Sequence, residues 1–237
     1  MSINSGPCSK KDMANALYDI TPFTLLDYPN KAACILWFVG CNMRCQYCYN
    51  PDIVFGKGKI GMEQAEAFLK TRKGLLQAVV FSGGECTMHP DMMPLVKIAK
   101  SLGYLIKVDT NGARPKMINT LIEENLLDYV SLDFKGLGQR FQEITVTGSF
   151  EAFEETLDLL LNAEIQFEVR TTAHSQLLSK VDLEEMLRFL ECKGYGNNYY
   201  VQKALNNVNM IGELADSNYR EGDLRFGSGS VGVVVRG

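Results

Sequence analysis

The chain has 237 residues, 46% of them hydrophobic, a formal net charge of −4 and a pI near 5.3. That length suits one large α/β domain or two small ones, and the mildly acidic balance gives nucleic-acid binding no basic face to work with. No apolar segment reaches signal-peptide or membrane-spanning length, so the seven cysteines are expected as thiols in a reducing cytoplasm, not as a disulfide framework.

Residues 1–19, which include Cys8, are polar and mixed and are expected as a loosely held arm. Residues 20–27 read as a short strand, and Tyr28-Pro29-Asn30-Lys31 as a turn, because Pro presets φ and Asn tolerates turn geometry. Residues 33–39 form an unbroken apolar run ended by Gly40. Without alternation both faces must be covered, as in a parallel sheet. Strand and helix then alternate. Apolar residues at helical spacing mark residues 62–72, 92–102, 117–122, 150–161 and 183–190, the last with Asp182 and Glu185 placed like a capping pair. Strands are expected at 78–81, 105–109, 129–133, 167–171 and 199–202.

Right-handed crossovers wind six such repeats into a parallel, barrel-like α/β sheet, and six strands are too few to close as eight do. The expectation is one domain over residues 20–204, a partial (βα)6 TIM-like barrel. Residues 205–237 are a C-terminal extension. The run Phe226-Gly227-Ser228-Gly229-Ser230-Val231-Gly232 opens no helix and so does not read as a phosphate loop. Val233-Val234-Val235 is either a late edge strand or a mobile tail.

The chemistry centres on Cys41-Asn42-Met43-Arg44-Cys45-Gln46-Tyr47-Cys48, directly after the first apolar strand. α/β folds place their sites at such strand ends. Three thiolates at this C-x3-C-x2-C spacing can bind three irons of a cubane 4Fe–4S cluster and leave the fourth open. Ferredoxin clusters use four cysteines, and structural zinc wants four closed ligands. Cys34 lies seven residues upstream and the next cysteine is Cys86, so no fourth ligand is at hand. Three incidental core cysteines, or an incomplete zinc site, are the bland alternative; cysteine is often buried, but that habit does not explain this spacing in this place.

With Tyr47 as its aromatic, the motif resembles the C-x3-C-x-aromatic-C hallmark of the radical S-adenosylmethionine (SAM) superfamily. The resemblance implies a partial (βα)6 barrel and two cofactors, a 4Fe–4S cluster held by Cys41, Cys45 and Cys48 and SAM chelating the open iron. One electron would cleave SAM to methionine and a 5′-deoxyadenosyl radical that abstracts a hydrogen atom. Ser82-Gly83-Gly84-Glu85 resembles the family's Gly-Gly-Glu-Pro motif, with Cys86 in place of Pro, and implies that Gly83, Gly84 and Glu85 face the SAM amino group. Asp109-Thr110-Asn111-Gly112 and Asp133-Phe134-Lys135 resemble strand-end motifs of glycyl-radical-enzyme activases, which brings Asp109, Asn111, Asp133 and Lys135 to SAM. Arg170 and His174, around the end of the fifth expected strand, are candidates for the SAM carboxylate or ribose. The bland readings are a plain turn, a surface ion pair and a structural histidine.

Leu25-Leu26-Asp27-Tyr28-Pro29-Asn30-Lys31 and Cys48-Tyr49-Asn50-Pro51 further resemble the activating proteins of anaerobic ribonucleoside-triphosphate reductase, with Asn30 and Tyr49 where those usually carry Gly and His. The implied activity is hydrogen abstraction from a glycine of a partner reductase, fed by a flavodoxin- or ferredoxin-type reductant. Residues 135–148, with Phe141 and Ile144, are expected in the docking surface. A radical SAM enzyme acting on a small molecule, nucleoside or other peptide, and a non-catalytic Fe–S carrier, remain open alternatives.

Overall fold

The computed structural model describes residues 15–220, 222–227 and 229–237; Cys8 and most of the expected arm lie outside them. Eight strands form one sheet in the order β1 (Leu17–Thr24), β2 (Ala33–Phe38), β3 (Ala78–Gly83), β4 (Leu105–Thr110), β5 (Tyr129–Asp133), β6 (Gln166–Ala173), β7 (Tyr199–Lys203) and β8 (Val233–Arg236). From β2 to β8 all neighbours are parallel, and β1 runs antiparallel along β2. The helices are α1 (Pro51–Phe55), α2 (Met62–Arg72), α3 (Met92–Ser101), α4 (Pro115–Glu123), α5 (Gly138–Thr145), α6 (Phe150–Asn162) and α7 (Lys180–Cys192). This is an α/β fold with a partial TIM-like barrel core, six central parallel strands left unclosed between β1 and β8.

The strand pleat sorts two environments. Cys34, Leu36, Phe38, Val79, Phe81, Ile106, Val108, Val130 and Leu132 point outward into the main core beneath the helices. Ala33, Ile35, Ala78 and Val80 point inward, where Tyr28 plugs one end and packs on Tyr129 with ring centroids 5.8 Å apart. Both faces of β2 and β3 are therefore buried, which is why those strands read as continuous apolar runs. Helix α2 has the bounds its periodicity predicted.

The differences have local causes. β1 begins at Leu17, inside the expected arm, because fully buried Leu17 pairs with Phe38 and bridges Ile60. The α7 cap lies three residues earlier than expected: Ser179 is the N-cap and forms a capping box with Asp182, and Glu185 takes no part. β8 realises the edge-strand alternative for residues 233–235. On α5, Phe141 and Ile144 are buried and pack inward, so the side chains expected to meet a partner are core; Arg140 and Glu143 hold its outer face.

Candidate active site

Gly40 turns the chain out of β2 with φ 81°, a backbone region that glycine enters without a Cβ penalty. The loop that follows is pinned to α5: Arg44 N–H donates to Thr145 O (2.8 Å), Gln46 N–H to Ile144 O (3.1 Å), and Gln46 Nε2 to Glu143 O (2.7 Å). The Arg44 guanidinium crosses beneath the loop to the carbonyls of Cys41 and Met43 (2.7 and 2.8 Å). Cys41, Cys45 and Cys48 line one cavity of about 260 Å³ at the C-terminal end of the parallel strands. Burial pushes the Cys41 thiol up to about 12, opposed by the Met43 N–H at 3.4 Å from its sulfur.

The donor set fits a cluster with one open iron. Among the described residues no other Cys or His lines the cavity. Among the described residues no three His, Cys, Asp or Glu side chains converge on a single-ion position; a cubane takes each thiolate on a different iron and needs no such point. Cys86 stands behind the wall, its thiol directed at the carbonyls of Phe81 and Asp109 (3.4 and 3.5 Å).

Gly83 and Gly84 line the cavity, but their want of a side chain is dictated by the end of β2 and the start of the cysteine loop. A Cβ on Gly83 would overlap the Phe38 backbone, and one on Gly84 the Gly40 carbonyl. Glu85 is also at the wall, yet its carboxylate is taken by the protein. It accepts from Asn111 N–H (2.7 Å), Thr110 Oγ1 (2.8 Å), Thr87 N–H (3.2 Å) and the Thr87 hydroxyl. Those bonds tie the end of β3 to the loop after β4. Asn111 carries that tie onward, donating to Asn42 Oδ1 at 2.9 Å and lying 3.8 Å from Cys41 Sγ.

The inner face carries an alternating chain of charges. Lys107 meets Asp109 (2.7 Å), Asp109 meets Arg170 (3.4 Å), Arg170 meets Asp133 (2.5 Å), and Asp133 meets Lys135 (3.2 Å). Burial raises the Asp133 pKa, but Arg170 and then Lys135 outweigh it and hold the carboxyl at about 2. Lys135 also lies 5.7 Å over the ring of Tyr47, whose buried hydroxyl has no partner among the described residues. Lys107 was not anticipated; the signal was its position two residues before Asp109, on the same face of β4. Gln202, Thr172, Trp37 and Asp27 are also among the lining residues.

His174 is the expected site residue that lies elsewhere. It is fully buried, does not line the cavity, and its Nδ1 accepts the Gln176 N–H at 3.3 Å, bracing the turn after β6.

An open α/β barrel with a three-thiol loop after its first parallel strand, facing a cavity of paired charges, defines a class of cluster-bearing radical enzymes. The chain belongs to the radical SAM superfamily, whose family model matches residues 35–191, and its cofactors are a 4Fe–4S cluster and SAM. It is 32% identical over 177 residues, 71% of this chain and 72% of the other, to a Methanocaldococcus jannaschii protein provisionally named a glycyl-radical enzyme activating enzyme. It is 25% identical over 181 residues, 73% of this chain and 74% of the other, to the pyruvate formate-lyase-activating enzyme of Clostridium pasteurianum. Among solved structures, Streptococcus suis SuiB bound to S-adenosylmethionine superposes with a TM-score of 0.62 at 14% identity, covering 78% of this chain and 45% of that one. That likeness concerns the fold, and this chain spans less than half of SuiB. Among the described residues no helix is long and apolar enough to cross a membrane.

Proposed function

We propose that this chain is a glycyl-radical-enzyme activase. The observation that carries the reading is its similarity, along about seven-tenths of its length, to proteins named as such activases. When bound, the cluster and SAM supply one-electron cleavage of the sulfonium and a hydrogen-abstracting 5′-deoxyadenosyl group. The chain's own part is to hold and enclose. Cys41, Cys45 and Cys48 hold the cluster. Arg170 and Lys135 set two cations beside Asp109 and Asp133 at the cavity wall, so that a cation is at hand for the SAM carboxylate and a carboxylate for its amine. The Gly83–Gly84 backbone lets SAM lie close to the wall, which Tyr47 also borders.

The partner is a glycyl radical enzyme that presents a glycine to the open side of the barrel. The motifs at residues 25–31 and 48–51 favour anaerobic ribonucleoside-triphosphate reductase, and a flavodoxin- or ferredoxin-type protein supplies the electron. The six described cysteines are free thiols, in keeping with work in a reducing cytoplasm.

The test is anaerobic reconstitution with iron and sulfide, addition of SAM and dithionite, and assay of 5′-deoxyadenosine with and without candidate partners. Deoxyadenosine that rises with one partner, together with a glycyl doublet in that partner's EPR spectrum, supports the activase. SAM cleavage with no glycyl signal from any partner moves the reading to another peptide or a small molecule. A loaded cluster without SAM cleavage removes the catalytic reading.

A further inference from the structure

The cysteine loop has an outer side, and a segment without a role in the proposed chemistry grips it. After β7 the chain stays joined to β6 through Ala204 N–H and Ala173 O (3.0 Å). Residues 206–217 then close on themselves. Asn206 Nδ2 donates to Ser217 O (3.0 Å), Ser217 N–H donates back to Asn206 Oδ1 (2.8 Å), and Asn207 N–H donates to Asp216 Oδ1 (3.1 Å). A compact loop with a paired neck is an Ω-loop, a form often put to functional use. One flank is moored to the turn after β6, where Ala215 N–H meets Gln176 Oε1 (2.9 Å) and Asn218 N–H meets Ser175 Oγ (2.9 Å). Met210 and Leu214 pack against the core.

The tip touches the cysteine loop through its main chain. Gly212 N–H donates to Gln46 O at 2.8 Å, and Ile211 N–H to Cys48 O at 3.0 Å. The fit leaves no room for a side chain: a Cβ on Gly212 would lie 2.8 Å from Gln46 Cβ and 3.0 Å from Gln46 O. The cysteine loop is thus held from two sides, its Arg44 and Gln46 N–H groups by α5 and its Gln46 and Cys48 carbonyls by the Ω-loop.

We infer that Ile211 and Gly212 are positioning residues for the cluster, acting through the carbonyls of Gln46 and Cys48 to orient Cys48 and keep water from that edge. The inference rests on the assignment of the three cysteines as ligands. Hydrogen bonding and solvent exposure set the properties of Fe–S clusters, and losing an outer partner of a metal ligand costs roughly 10–100-fold in affinity.

The experiment compares the reconstituted wild-type chain with Gly212→Ala and Asn206→Ala, the second opening the neck without touching the tip. Iron transfer to a chelator is followed by the loss of cluster absorbance, and amide exchange of residues 44–50 is followed in the apo proteins. We expect iron loss at least about tenfold faster in Gly212→Ala, a smaller acceleration in Asn206→Ala, and faster exchange in both. If Gly212→Ala does not fold, Asn206→Ala decides. Iron loss and exchange at wild-type rates in every folded variant overturn the brace while leaving the ligand assignment standing. A wild-type chain that takes up no iron overturns the ligand assignment itself, and the brace with it.

Discussion

The Glu85 carboxylate accepts the backbone N–H of Asn111 at 2.7 Å, and through that bond the end of β3 sets the loop that reaches back to the cysteines. Asn111 bonds Asn42 and approaches Cys41, so Glu85 acts on the cluster site at one remove. Burial raises the Glu85 pKa, and the donors around it oppose the rise. Glu85→Gln sets an amide NH2 against the backbone N–H of Asn111 or of Thr87, neither of which can accept. Leaving a buried donor unsatisfied costs about 1–3 kcal/mol, and urea unfolding of the apo protein should show a loss of that size with an unchanged slope. An unshifted midpoint would mean that the carboxylate is not the tie.

Gly83 and Gly84 invite a second substitution. Both are pressed against the end of β2, and Gly83 has φ 125°. Gly84→Ala should therefore cost at least about 3 kcal/mol, the upper end for overpacking, before any cofactor is added. If the apo variant melts like the wild type and only SAM binding suffers, the glycine serves the ligand and not the strand junction.

How far the sequence disclosed this arrangement depended on whether a residue's role was set locally. The parallel strands were legible because burial on both faces leaves unbroken apolar runs, as at Ala33–Phe38. The cysteine loop was legible because its three cysteines lie within eight residues. Helix α5 was not, since it is short and shows only Phe141 and Ile144 among polar residues. The protein partners of Glu85 and the place of His174 were not legible, for a different reason. Each sits beside a motif at a strand end, but its partners come from segments distant in the chain or from a tight turn, and no periodicity reports them. The Ω-loop has no periodic signature, because its neck pairs the Asn206 side chain with the Ser217 backbone.

The three cysteines should separate cleanly from the other buried thiols. Cys41→Ala, Cys45→Ala and Cys48→Ala each remove one of three ligands and should abolish the 4Fe–4S spectrum after reconstitution. Cys86→Ala and Cys34→Ala should keep it, since Cys86 faces two carbonyls and Cys34 lies in the core beneath the helices. Retention of a normal cluster in any of the first three variants would show that another group completes the site.

Arg170 and Asp133 form a tight charged pair on the inner face. Removing one partner of a fully buried pair costs roughly 3–5 kcal/mol, and here, with some contact with the cleft, about 2 kcal/mol is expected for Asp133→Asn. The sign of the pH dependence follows from a folded pKa of about 2, below the unfolded value near about 3.9. The pair stabilises the fold above the unfolded pKa, and that contribution drains away as pH falls through the folded one. Acid unfolding should accordingly begin at a higher pH in Arg170→Met. An unmoved acid transition would detach Asp133 from Arg170.

His174 makes the opposite test near neutrality. Burial lowers its pKa, with the Ala215 backbone and Asp216 opposing, and its Nδ1 accepts the Gln176 N–H, a bond that protonation at Nδ1 destroys. A histidine whose folded pKa lies below the unfolded value, near about 6.5, binds its proton more tightly when unfolded. Stability is then full at and above neutral pH and falls as pH drops through about 6.5. Gln176 also accepts the Ala215 N–H of the Ω-loop, so acid should loosen that mooring first, read as faster amide exchange around residue 215. His174→Asn keeps a short acceptor for Gln176 without a titrating ring, and its stability should vary less between about pH 7 and 5 than that of the wild type. His89, also lowered by burial, remains in both proteins, so the difference between the two curves belongs to His174. Parallel curves would remove the neutral-range sensitivity from the turn that carries the Ω-loop.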